Sequence, residues 1–227
     1  GGFLVVPALT SLLKVPPRVS IGTSSCVVLA VSCVACQAYL RRGLASPRAA
    51  LFIALSAVTS ARLGALLTNK VNSKTLKKLF GGWLLIVSAL IGAKAAGLLV
   101  SASVVGAGEI AGRKALLGLG AFTGMVSGLL GVGGGTVLVP SLTLGLQFTQ
   151  GEAQGAALLG MVPPSVVSVW THARRRNVDT ALAGGAVLGA LLGGWSGSLL
   201  ATSLPERALR ATFAIVLGFV GVKYLRS

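Results

Sequence analysis

Gly131-Val-Gly-Gly-Gly-Thr-Val-Leu-Val-Pro140 is the stretch on which the reading of this chain turns. A fragment of it also opens the chain, as Gly1-Gly2-Phe-Leu-Val-Val-Pro7. Pro7 and Pro140 stand 133 positions apart, and at that offset the two halves align without a gap to the C-terminus. Identities include Val6/Val139, Leu9/Leu142, Thr10/Thr143, Gly22/Gly155, Ser32/Ser165, Arg41/Arg174, Arg42/Arg175, Gly64/Gly197, Phe80/Phe213 and Leu84/Leu217. We therefore expect a duplicated unit: a first repeat over 1–94, a connection over 95–114 and a second repeat over 115–227. The glycines interrupt apolar sequence. In lipid an interrupted helix leaves backbone groups without partners, so the interruption needs a physical reason.

Composition points to a bilayer. Hydrophobic residues make up 54%, charged residues only 11%, and the mean hydropathy is +0.87. A soluble chain of this length carries far more charge. The net charge of +16 arises because only 4 acids face 20 bases. Those bases lie in short clusters between apolar runs, the pattern of loops beside a membrane. Scarce aromatics leave no stacking platform for bases, so nucleic acid is not an expected partner. Cys26, Cys33 and Cys36 share one apolar run, which argues against a disulfide framework.

Apolar runs fall at about 1–13, 20–40, 48–68 and 76–94, then at about 115–146, 153–173, 180–202 and 207–225. Several approach the ~20 residues needed to cross a bilayer. The run 115–146 is too long for one span and is expected to be a helix, a break and a second helical piece. The fold class is thus all-α and polytopic: two homologous repeats of about four helical segments, each with a Gly-rich helix break. The first residue is not Met and the first repeat starts inside its motif. The opening helix of that repeat is therefore expected to be missing from this sequence. Equivalent basic clusters at Arg41, Arg42 and Arg48 and at Arg174, Arg175 and Arg176 suggest one membrane side and parallel copies. Lys70, Lys74, Lys77 and Lys78 lie one span later and pull against that arrangement.

Glycine has no Cβ and tolerates positive φ, so a triplet can end one helix and start another. The N–H groups at the second helix start, with the positive end of its dipole, favour an anion. Broken helices near the bilayer midplane use this device in transporters. Pro7 and Pro140 follow the breaks and help to kink or end the second piece. Close helix packing is the structural alternative. After the first break, Thr23, Ser24 and Ser25 offer hydroxyls to an anion; at the second, only Gln154 remains polar. Ordinary capping and interhelical bonding would explain the same hydroxyls. Arg62 lies inside a run, where a charge is costly unless it snorkels or finds a partner. It is the best candidate for a fixed positive charge.

Other features favour structural roles. Gly185, Gly189, Gly193 and Gly197 form a small-residue ladder suited to close packing. Cys33-Val-Ala-Cys36 has no His or acid nearby and is expected to pack as small apolar side chains. His172, between Trp170 and Arg174, is expected at the interface, and Lys94 is expected to snorkel. Pro163-Pro164 suggests a kink in one repeat only.

The acids are Glu109, Glu152, Asp179 and Glu206, all at or beyond run ends. None lies deep in a span, which disfavours cation channels, metal transport and proton coupling through buried carboxylates. No triad, zinc-protease or P-loop pattern appears, so no enzyme activity, cofactor or metal is expected.

Ser127-Gly-Leu-Leu-Gly-Val-Gly-Gly-Gly, followed by Pro140, resembles the sulfite exporter TauE/SafE family. So does the downstream order of Arg174–Asp179, a glycine-rich span and Leu204-Pro205 before Leu209-Arg210. The resemblance covers essentially the whole chain. It implies about eight spans in two repeats and movement of sulfur-containing anions, such as sulfite or organosulfonates, usually outward. Its motif residues fall here on Gly131, Gly133, Gly134, Gly135 and Pro140, and on Gly1, Gly2 and Pro7. Thr23-Ser24 resembles the family's small polar pair after the motif, from which Ala156-Ala157 departs.

The expected function is a permease for a small anion, with alternating access around paired breaks. The expected candidate site comprises Gly1, Gly2, Pro7, Thr23, Ser24, Ser25, Arg62, Gly131, Gly133, Gly134, Gly135, Pro140 and Gln154. Partners are a small anionic substrate and the lipid bilayer, with self-association left open. A non-transporting membrane scaffold or assembly factor is the alternative; a continuous helix through Gly131–Gly135 without a midplane cavity would favour it.

Overall fold

The computed structural model describes residues 2–11, 13–68, 73–97, 109–131 and 133–226. They are helical without a strand: α1 (Gly2–Ser11), α2 (Pro17–Arg41), α3 (Pro47–Leu67), α4 (Ser73–Ala95), α5 (Glu109–Leu130), α6 (Gly135–Gly145), α7 (Gln150–Arg174), α8 (Thr180–Ser203) and α9 (Glu206–Arg226). The apolar runs become helices much as their lengths suggest. α5 begins at Glu109, so the end of the expected connection belongs to a helix. α7 runs unbroken through Pro163 and Pro164. Lys70 lies outside the described residues; Lys74 and Lys77 fall within α4.

The scarce acids open helices. Glu109 begins α5 and Glu206 begins α9. Thr149 and Glu152 form a reciprocal capping box at α7. The Asp179 carboxylate accepts the N–H groups of Ala181 and Leu182 at α8. Negative charge at a helix start satisfies orphan donors and the dipole together, which explains why these acids sit at run ends.

α2, α3, α7 and α8 are each long and apolar enough to cross a membrane. Leu51, Leu55, Leu188, Leu192, Ile215 and Phe219 are exposed. So large an apolar exterior needs lipid around it. Inside, α3 packs against α5 and α7, α2 against α7 and α8, and α4 against α9. The short α6 is enclosed: Thr136, Val137, Leu138, Val139, Pro140, Leu142 and Thr143 are buried. Burial in protein or beside a cavity is the condition under which irregular backbone persists at membrane depth.

The tightest helix contact is not where the glycine ladder suggested. A Cβ on Gly124 would lie 2.4 Å from the Ala57 carbonyl oxygen, and one on Gly128 would lie 2.1 Å from that of Ala61. The close seam is therefore α5 on α3. A Cβ at Gly185, Gly189, Gly193 or Gly197 would meet nothing within 4 Å. These glycines of α8 face open space, because α8 touches the bundle mainly through α2. Only 11% of its most apolar window is buried, against 61% for α2.

Candidate functional site

α5 stops where its sequence turns to glycine. The Gly131 N–H closes the last turn on the Ser127 carbonyl at 2.8 Å. Gly131 and Gly133 then take φ of +62° and +78°. Only glycine enters that region without strain. α6 restarts at Gly135 with Gly134 at its N-cap and no side chain capping it. The Gly134 carbonyl takes the N–H groups of Val137 and Leu138 at 3.1 and 2.8 Å. The N–H groups of Gly135 and Thr136 precede these, at the point where a helix has no internal acceptors to offer.

A cavity of about 190 Å³ opens at this helix start. Gly133, Gly134, Gly135 and Thr136 form one wall; α2 supplies Val28, Val31 and Ser32, α7 supplies Gln154, Ala157 and Met161, and α9 supplies Phe213. The space far exceeds the ~10–15 Å³ that one water needs. Its walls are mostly apolar, with polar groups converging from the helix start, Ser32 and Gln154. That is the usual composition of a small-ligand site.

The Tyr39 hydroxyl of α2 donates to the Gln154 Oε1 at 2.5 Å. With its oxygen bonded to Tyr39, the Gln154 amide keeps its NH₂ donors for a ligand. Donors without a carboxylate among the lining residues suit an anion.

Gly133, Gly134, Gly135 and Gln154 thus meet at one cavity. Gly131 stands behind it as the end of α5, and Pro140 is buried within α6, off the cavity wall. Thr23, Ser24 and Ser25 are buried beside the break but bonded to protein. Thr23 Oγ1 accepts the Asp179 N–H at 3.1 Å. Ser24 donates to the Gly131 carbonyl at 2.7 Å. Ser25 bonds the Ile21 carbonyl at 3.1 Å and lies 3.2 Å from the Ser168 hydroxyl. Arg62 is exposed on α3 and does not line the cavity. Gly2 and Pro7 lie in α1, and Gly1 falls outside the described residues.

His172, in the last turn of α7, is fully buried, with Nε2 3.2 Å from the Gly128 carbonyl. The reason lies in Gly22, where a Cβ would meet the Asn177 carbonyl oxygen at 1.9 Å and the His172 Cβ at 3.2 Å. The bare glycine lets the end of α7 and its following loop sink onto α2. Lys94, in the last turn of α4, donates from its Nζ to the Thr143 carbonyl at 2.6 Å.

Tyr39, Ser32, Met161 and Phe213 were not found from sequence. Tyr39 precedes Arg41-Arg42, where it resembles an interfacial aromatic. Its seven-residue spacing from Ser32 puts both on one helix face, and that was the available signal.

The family pattern described as "Sulfite exporter TauE/SafE" matches residues 1–224. The chain is similar to a probable membrane transporter protein of Xylella fastidiosa (strain 9a5c), 27% identical over 232 residues, 98% of this chain and 85% of the relative. A probable membrane transporter protein of Bacillus subtilis (strain 168) is 25% identical over 244 residues, 99% of this chain and 89% of that one. One from Methanocaldococcus jannaschii is 34% identical over 154 residues, 63% of this chain and 54% of that protein. No solved structure matches significantly. The chain belongs to the sulfite exporter TauE/SafE family of integral, multi-pass membrane transport proteins.

Proposed function

We propose that this transporter is a permease for a small anion, a sulfur oxyanion or organosulfonate, and that it binds the anion at the start of α6. The observation that carries this is the cavity against Gly133–Thr136, into which uncapped N–H groups and the Gln154 amide converge. A helix start of this kind stabilises negative charge. Apolar walls raise the worth of each polar contact by excluding water, and they leave room for the apolar part of a sulfonate.

The mechanism is alternating access around paired breaks in a duplicated chain. What supports the duplication is the helix order. α1, α2, α3 and α4 begin at residues 2, 17, 47 and 73, and α6, α7, α8 and α9 at 135, 150, 180 and 206. Each pair is separated by the same 133 positions as the sequence repeat. The contacts follow the same exchange: α3 on α7 mirrors α8 on α2, and α1 on α2 mirrors α6 on α7. The two halves differ at the site, since Gln154 has Ile21 as its counterpart. One half then holds the anion while the other moves against it.

Reconstitution into proteoliposomes tests the substrate class. Flux of sulfite, or of a short alkyl sulfonate, is expected to exceed that through protein-free vesicles and to saturate. No flux of sulfite, sulfonate or sulfate in either direction would refute it.

A further inference from the structure

Sequence puts Lys94 in the last turn of α4 and Arg210 one turn into α9. The fold brings Lys94 to the C-terminal end of α6 and Arg210 to the start of α7. Lys94 Nζ is anchored on the Thr143 carbonyl at 2.6 Å. Arg210 donates through its terminal nitrogen to Glu206 Oε1. The same oxygen accepts the backbone N–H of Gln150, at the start of α7, at 3.2 Å. α4, which carries Lys94, packs against both α9 and α6. The Glu206 carboxylate thus ties the first turn of α9 to the start of α7.

The junction also has donors to spare. The Arg210 side chain is only 19% exposed, and its Nε is buried without an acceptor. Gln150 is completely buried, and neither atom of its side-chain amide has a partner. Buried donors left unmade are costly, those on a charged group most of all. Glu206, by contrast, is 42% exposed and can reach water. Its Oε1 marks a point where an oxygen carrying negative charge is held jointly by a guanidinium and a helix start, the geometry that binds oxyanions.

We propose that Lys94, Arg210 and the start of α7 at Gln150 form a second anion site where the ends of α4 and α6 meet the starts of α7 and α9. It takes a tetrahedral oxyanion, a free sulfate or sulfonate or the phosphate of a lipid head group, in place of Glu206. The site is separate from the break. Gly135 and Thr143 are eight residues apart on α6, about 12 Å at about 1.5 Å per residue. Phe213, in the wall of the break cavity, lies one turn beyond Arg210 on α9. An anion held by Arg210 thus lies one turn of α9 from a residue of the cavity wall. Its onward passage rests on the permease proposed above; its binding does not.

Sulfate binding to the full chain in phosphatidylcholine nanodiscs, measured by calorimetry, tests the proposal. Wild type and Gly135→Val are both expected to bind saturably. Arg210→Gln and Lys94→Gln are each expected to weaken binding by about tenfold or more. Glu206→Gln is expected to tighten it severalfold, a gain that a misfolded variant cannot produce. If the physiological oxyanion is a lipid phosphate, added phosphatidylglycerol displaces sulfate from wild type but is not retained by Arg210→Gln. The proposal is overturned if neither sulfate nor phosphatidylglycerol binds saturably. It is also overturned if Glu206→Gln fails to tighten binding, or if Gly135→Val abolishes it while Arg210→Gln spares it.

Discussion

Tyr39 holds Gln154 by its amide oxygen, phenol to carbonyl at 2.5 Å across α2 and α7. The bond fixes which end of the amide meets the cavity. In Tyr39→Phe the amide is free to turn its oxygen inward, and an anion then meets an acceptor. A lost hydrogen bond of this kind is worth about 1 kcal/mol, so the anion KM is expected to rise about fivefold with little change in thermal stability. Gln154→Leu is expected to cost more, since it removes the donors outright. Concentration-dependent flux into proteoliposomes checks both.

The break glycines are expected to separate into two classes. Gly131→Ala forces a side chain into φ +62° and sets its Cβ 2.5 Å from the Ile21 carbonyl oxygen. Left-handed strain alone costs about 1–2 kcal/mol, so lower thermal stability is expected. A Cβ on Gly135 meets nothing within 4 Å. Gly135→Ala is therefore expected to melt like wild type while weakening anion binding. The methyl occupies cavity space against the Gly135 N–H, which itself remains, and holds the anion off it; a hydrogen bond to a charged group lost in this way costs about 1.5–3 kcal/mol, roughly tenfold or more in affinity.

Ser24 and Arg62 are expected to differ from ligands. Ser24→Ala removes the donor to the buried Gly131 carbonyl. An unsatisfied buried group costs about 1–3 kcal/mol. The melting temperature is expected to fall while KM in the surviving protein stays near wild type. Arg62→Gln changes an exposed residue away from the cavity, and its flux is expected to stay within about twofold of wild type.

The α3–α5 seam is expected to tolerate no added bulk. In Gly124→Val the Cβ would sit 2.4 Å from the Ala57 carbonyl oxygen. Overpacking costs about 1–3 kcal/mol where neighbours can shift, and backbone cannot easily do so. Protease protection in membranes is expected to be lost along α5. Gly189→Val on α8 meets open space and is expected to leave that protection intact.

Helix positions were legible in the sequence because apolar length and sparse charge determine them, and the glycine run at Gly131–Gly135 marked where α5 gives way to α6. Which faces meet was less legible. Gly189 and Gly193 have the same spacing as Gly120 and Gly124, yet only the latter lie against a neighbouring backbone. Spacing states that a helix can be approached closely, not what approaches it. The roles of Thr23, Ser24 and Ser25 were ambiguous for a related reason. A hydroxyl serves a ligand or a neighbouring carbonyl equally well, and the choice rests on partners distant in sequence: Gly131, Ser168 and Asp179. The Lys94 bond was not legible because its acceptor is a backbone carbonyl, which no residue type announces.

The most direct test of anion passage at the α6 start compares wild type with Gly135→Val in proteoliposomes carrying equal amounts of inserted protein. Sulfite flux is the readout. Wild type is expected to give saturable flux, and Gly135→Val to give none above protein-free vesicles while keeping its melting temperature. Undiminished flux through Gly135→Val would contradict an anion site at this break.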